Sequence, residues 1–328
     1  MTRLFAPRTR KGSTMGRHHT LGPSPETVHW GYLDAKIAPC LTIDSGDSIT
    51  IDTVSGGKGD VGDTSIMRPE HRAIVETLRP SPGPHILTGP VAIRGAEPGD
   101  TLEVRIKSLE LTADWGWNLI RPLRGTLPED YPVFRCRILP IDRGAMTTTL
   151  PWGATIPLQP FFGILAVAPR PEYGPCSSVE PREFGGNLDN KELVPGASVF
   201  LPIFVPGANF SVGDGHAVQG DGEVCLTALE TCLRGTFELV VHKNMPLALP
   251  RAITETHYIT MGLDPDLDDA AKQALRDMIS WLVEMTGWES EEAYVFCSLA
   301  CDLRVTQLVD GNKGIHAMVP RALIPGSA

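Results

Sequence analysis

The stretch TLEVRIK, residues 101 to 107, alternates Leu102, Val104 and Ile106 with Glu103, Arg105 and Lys107. A period of two puts the apolar side chains on one face of an extended chain and the charged ones on the other, which predicts a half-buried antiparallel strand. The pattern recurs outward from there. Leu41, Ile43, Ile49 and Ile51 alternate with polar residues around DSGD (44 to 47), and Phe237, Leu239 and Val241 do so again. The turns DSGDSITI (44 to 51) and EPGDTLEV (97 to 104) echo each other, and Asp47 and Asp100 are expected to start strands by hydrogen-bonding the backbone. With 33 glycines and 29 prolines spread along 328 residues, long helices are excluded from most of the chain.

Helical periodicity is confined to the end. Ala271, Leu275, Met278, Ile279, Leu282 and Met285 predict a helix starting at Asp264 and Pro265 and stopping at Gly287. A second helix is predicted from Ser290, with Glu291 and Glu292 at the positive end of its dipole. The chain therefore reads as mainly β, followed by an α+β portion.

Composition narrows the function. Lys and Arg number 29 against 39 Asp and Glu, a formal charge of −10 that disfavours nucleic acid and anionic membrane surfaces as partners. Seven cysteines without regular short spacing suit free thiols in a reducing compartment, so a cytoplasmic location is expected. No run approaches the roughly 20 apolar residues of a membrane span. The basic segment before Glu26 reads as a polar disordered tail rather than a transit peptide.

The chemistry gathers at GDGHAVQGDGE, residues 213 to 223. Flanked by apolar strand-like sequence, it reads as strand, Gly-rich turn and returning strand, with Asp214 and His216 on one limb and Asp221 and Glu223 on the other. Each pair is spaced i, i+2 and so shares a face. Carboxylates crowded with an imidazole call for a divalent cation, zinc by the ligand types. Upstream, Asn187 and Asp189 follow Gly185 and Gly186 at the same spacing, as a further ligand pair, a substrate-amide contact or an Asx turn. Asp44 reads as turn or ligand.

Other features are plainer. SGGKGD (55 to 60) has Gly59 where a P-loop needs Ser or Thr. Cys297 and Cys301 suit a core stripe; Trp115 and Trp117 are placed in a loop; His29 is structural, and His18, His19 and His71 are assigned to the surface.

Five segments together resemble the acetamidase/formamidase family of metal-dependent amide hydrolases: LTIDSGDSITIDT, HILTGPVAIRGAEPGDTLEV, GGNLDNKEL, LPIFVPGANFSVGDGHAVQGDGEVCLTALE and EEAYVFCSLACDLRVTQLVDGNKGIHAMVP. The resemblance runs from about His29 to Pro325. It implies an antiparallel β-sandwich/barrel body, placed at residues 26–240, with an α+β portion and two C-terminal helices at 241–328. It further implies a homo-oligomer, a small amide substrate, and zinc or calcium held among Asp189, Asp214, His216, Glu223 and Asp44. The mechanism expected has a metal-activated water, with His216, Glu223 and Asp221 as the catalytic set, Glu223 moving the proton, and Asn187, Gly186 and Gly220 facing the substrate. CSSVEPREF (176 to 184) departs from the family pattern, so Cys176, Val179 and Glu183 are expected to reshape the pocket. The rival expectations are a Cys176 or Ser178 nucleophile and a non-catalytic calcium-dependent binding module.

Overall fold

The computed structural model describes residues 16–326. The alternation around Leu102 becomes the strand Thr101–Leu111, inside a nine-stranded sheet. It pairs antiparallel with Leu233–His242 and with Ser198–Pro202, and the register sets Val104 beside both Leu239 and Val199. Apolar faces are thereby aligned across three strands, which is how period-two patterning fixes register. A second nine-stranded sheet is built on Ile86–Ile93, Phe161–Ala166 and Phe210–Val218. Its Phe162 and Phe210 each lie 5.8 Å, centroid to centroid, from Phe237 of the first sheet. One continuous apolar core, with Ile49, Val104, Leu87 and Val212 fully buried, fills the space between the sheets.

The two echoing turns share one device. Asp47 Oδ2 accepts the Asp44 N–H at 3.1 Å, and Asp100 Oδ2 accepts the Glu97 N–H at 2.9 Å.

Beyond residue 240 the first sheet continues without a break through His257–Asp264, Lys313–Pro320 and Asp302–Gln307. The helix Leu267–Thr286 packs on this extension, capped by Asp266, whose side chain accepts from the Asp268 and Asp269 N–H groups. It starts after the predicted Asp264 because a residue before proline disfavours the helical region, so Asp264 instead ends a strand. Gly287 stops the helix at φ 75°, and Ser290–Ala300 follows as the second C-terminal helix.

Three local expectations are corrected. Residues 16–25 are not a tail: His18–Leu21 pairs in parallel with Ser48–Asp52, a partner 30 positions away that local composition does not reveal. The rest of that predicted tail lies outside the described residues. Trp115 and Trp117 stand on the strand Trp115–Ile120, buried against a secondary core cluster rather than in a loop. His71 is buried on the helix Pro69–Thr77, where desolvation lowers its pKa to about 4 and Gly56 O lies 2.8 Å from its Nε2. All seven cysteines are free thiols, and Cys297 packs among the helical core side chains. Among the described residues no helix is long and apolar enough to cross a membrane.

Candidate active site

The strand Phe210–Val218 delivers Asp214 and His216 together, with His216 Nε2 3.2 Å from Asp214 Oδ2. The predicted hairpin does not follow. After Val218 the chain docks on the Asp302–Gln307 strand, through Gly222 N–H to Thr306 O and Leu308 N–H to Gly222 O, and becomes a strand again only at Leu229–Glu230. Glu223 therefore remains buried in the site, whereas Asp221 is exposed and pairs with Lys191 at 2.9 Å. The place expected for Asp221 belongs to Glu230, which stands opposite His216 in register with Oε1 3.2 Å from Nε2.

Asp189 follows the strand Gly185–Asn187 and brings its Oδ1 to 3.8 Å from His216 Nε2. Asp310, in the turn after Asp302–Gln307, lies close enough to Asp189 that, beyond burial, the Asp189 charge raises its pKa. The structure does not bring Asp44 to this cluster: it is exposed and held by Arg94 at 2.8 Å. Gly220 is also exposed and does not line the cavity, while Asn187 does, with its Oδ1 lacking a hydrogen-bond partner. Gly186 is buried beside it.

The glycines act differently from turn residues. A Cβ on Gly213 would lie 2.4 Å from Ile86 O and one on Gly215 2.6 Å from Thr231 O, so both admit neighbouring backbone. Gly163, which no sequence signal singled out, borders the acids themselves: its Cβ would meet Asp214 Oδ2 at 2.3 Å and Asp189 Oδ1 at 2.4 Å. Asp189, Asp214 and Glu223 themselves have positive φ, 46°, 58° and 46°. Holding three carboxylate-bearing residues in this sparsely populated region costs about 1–3 kcal/mol each, a strain typical of functional sites.

Five carboxyl groups, Asp189, Asp214, Glu223, Glu230 and Asp310, are thus buried on one cavity of about 810 Å³. Their ion pairs among the described residues run only to imidazoles, His216 and, at 3.9 Å from Asp214 Oδ1, His85. Burial pushes Glu230 up to about 8, with the Asp214 charge adding to it. Burial, then the charges of Asp189 and Asp310, hold Glu223 well above the usual carboxylate range. Burial and the Asp189 charge raise Asp310 likewise. For Asp214 burial is outweighed by His216 and His85, which lower it. Burial opposes protonation of His216, but Glu230 and Asp214 overcome it and raise its pKa.

The donor set fits a divalent cation. His216 Nδ1 lies 3.0 Å from Gln219 Oε1, and Gln219 Nε2 donates to Asp189 O at 2.9 Å. Since the Gln219 carbonyl can only accept, His216 keeps a proton on Nδ1, so Nε2, once deprotonated, is the nitrogen whose lone pair faces the acids and would take a cation. Yet Nε2, both Asp189 oxygens and Glu230 Oε2 are buried without hydrogen-bond partners. Ligands about 2.1 Å from a tetrahedral ion stand about 3.4 Å apart, close to the 3.2 Å separations around Nε2. The two trios able to hold an ion, Asp189 with His216 and Glu223, and Asp214 with His216 and Glu230, share that single lone pair, so they form one site.

Glu230, Asp310, His85 and Gln219 were missed by the sequence reading. Glu230 and Asp310 carry only the faint signal of an acid ending an apolar run and a DG turn within the matched segments.

The chain matches the model of the acetamidase/formamidase family over residues 25–175 and 173–324. It is 31% identical over 236 residues to a putative formamidase of Schizosaccharomyces pombe, covering 53% of this chain and 57% of that protein. It is 26% identical over 263 residues to a formamidase of Methylophilus methylotrophus, covering 59% and 63%. The chain thus spans less than two thirds of the length of these curated relatives. A crystal structure of an acetamidase from Yersinia enterocolitica superposes with a TM-score of 0.83 at 29% identity, covering 94% of this chain and 93% of the other.

Proposed function

Since this chain belongs to the acetamidase/formamidase family, we propose that it hydrolyses the C–N bond of a small linear amide to a carboxylate and ammonia, with a divalent cation in the acid cluster. The observation that carries the reading is the ring of buried carboxylates whose ion pairs, among the described residues, are with imidazoles, around an imidazole nitrogen without a hydrogen-bond partner there. His216, Asp214 and Glu230 would hold the ion, with Asp189 beside them. The imidazole donor favours zinc over calcium, which prefers an oxygen shell. When bound, such an ion polarises a carbonyl and lowers the pKa of water.

The chain's own residues do the rest. Glu223 takes a proton from the attacking water as its oxygen bonds to the carbonyl carbon, then returns it to the nitrogen as the C–N bond breaks. A free amide anion is too basic to leave unprotonated, so this second transfer is needed; such shuttles contribute about 10²–10⁴ in rate. Trp30 and Trp117 line the cavity, whose roughly 810 Å³ leaves room for amides longer than formamide. Of the three departures from the family pattern, only Val179 reaches that wall; Glu183 bonds Tyr173 at the surface and Cys176 is buried in the core.

A covalent nucleophile finds less support. Ser178 is buried and does not line the cavity, and burial raises the Cys176 thiol away from the reactive thiolate. The free thiols favour the cytoplasm, and the exposed Leu123, Tyr131, Phe134 and Trp152 favour self-association. Ammonia release from a panel of short amides tests the function directly. The His216→Ala protein is expected to lose both bound metal and turnover, and full activity after complete metal removal would overturn the reading.

A further inference from the structure

We infer that His85 is a catalytic hydrogen-bond donor, its Nε2–H directed at the oxygen that becomes negative when water adds to the amide, and that Ser178 is the positioning residue that sets this tautomer. The inference rests on the amidase reading. Its origin is a small assembly outside the predicted site. Gly31 O accepts both the Gly83 N–H at 2.8 Å and the Ser178 N–H at 3.0 Å, which clamps the segment before the strand Ile86–Ile93 onto Ser178. The fit leaves no room for a side chain: a Cβ on Gly83 would lie 2.3 Å from Ser178 Oγ.

The tautomer turns on which way the Ser178 hydroxyl proton points. Ser178 Oγ lies 3.4 Å from the His85 backbone N and 2.9 Å from His85 Nδ1. The backbone N–H can only donate and occupies one of the two Oγ lone pairs; in the inferred arrangement the hydroxyl directs its own proton to Nδ1. The ring proton is then left on Nε2. His85 lines the cavity, and its Nε2 lies 3.9 Å from Asp214 Oδ1, beyond hydrogen-bond reach, so that N–H is not consumed by the carboxylate.

The surrounding groups give this N–H a task. Each of the five carboxyl groups keeps an acceptor oxygen even when protonated, suited to the N–H groups of an amide, and Asn187 Oδ1 adds another without a partner. The amide oxygen needs a donor instead, and needs it more once the carbonyl π pair has moved onto oxygen. A donor aimed at that charge strengthens selectively in the transition state. No proton leaves His85 in this step; it forms one hydrogen bond to the oxyanion and releases it when the carbonyl re-forms.

The test compares variants at matched metal content. His85→Leu is expected to lower kcat about 10²–10³-fold, the usual worth of an oxyanion donor, with KM within about threefold and zinc stoichiometry unchanged. His85→Gln, which keeps an N–H, should recover part of the loss, and Ser178→Ala should cost about five- to tenfold, the scale of one hydrogen bond. Nitrogen-15 NMR of the folded wild-type protein should show Nε2 protonated and Nδ1 bare, with Ser178→Ala mixing the tautomers. A His85→Leu kcat within threefold of wild type, a loss confined to KM, or a proton on Nδ1 overturns the assignment. Absence of ammonia release by the wild-type protein overturns the amidase reading beneath it.

Discussion

Glu103 and Glu230 are both buried glutamates in β-sheets, yet their surroundings drive them in opposite directions. Glu103 receives Arg105 at 2.8 and 3.0 Å, Ser198 Oγ at 3.0 Å and His242 Nε2 at 2.7 Å. Burial would raise its pKa, but His242 and Arg105 outweigh it and hold the carboxyl down at about 2. Glu230 has one backbone N–H at 3.0 Å and the His216 ring, its Oε2 has no partner, and burial lifts it to about 8. A buried charge is tolerable only when paired and hydrogen-bonded. Glu103 is complete as it stands and serves stability, whereas Glu230 is left under-paired, as the proposed cation site requires.

The largest effect expected from this contrast is at Gly163. Gly163→Ala drives a methyl into Asp214 and Asp189, and should abolish metal binding and lower turnover by about 10³-fold; unchanged zinc content by atomic absorption would break the account. Next comes the same chemical change at both glutamates. Glu230→Gln should cost about 10²–10³ in kcat while leaving the metal-free melting temperature equal or higher, because a strained carboxyl has been removed. Glu103→Gln should leave kcat within about twofold but lower stability by about 1–3 kcal/mol in urea unfolding. If both variants lose activity alike, the two regions do not differ as described.

The smallest effect is the acid limb of stability. The Glu103 pKa falls from 4.5 unfolded to about 2 folded, so its contribution is fully present above about pH 4.5. It is lost as the pH drops toward 2, and amounts to at most about 3 kcal/mol. Urea midpoints measured from pH 5 down to 2 should fall more steeply for the wild-type protein than for Glu103→Gln; parallel curves would refute the assignment.

Legibility followed the range of the forces involved. Strand faces were readable because Leu102, Val104 and Ile106 show their burial within seven residues, and Gly287 marked a helix end through its own backbone freedom. Asp214, His216, Asp189 and Glu223 were named because ligand types crowd on glycine. Their companions Glu230 and Asp310 were not, and Asp221, named with them, met Lys191 at the surface because the loop docked on Asp302–Gln307 instead of folding back as a hairpin. Gly163 looks like any glycine in an apolar strand until two carboxylates arrive across it.

The sequence by itself determined a mainly β chain with two terminal helices, its family, and the types of group available to a site, since periodicity and residue chemistry are local properties. Only the tertiary structure decided which acids converge. Asp189, Glu230 and His85 are brought to Asp214 and His216 by pairing between strands distant in sequence, and Asp310 by the bridge between Gly222 and Gln307. That pairing is selected by burial of a common core, a sum over both sheets that no short stretch records.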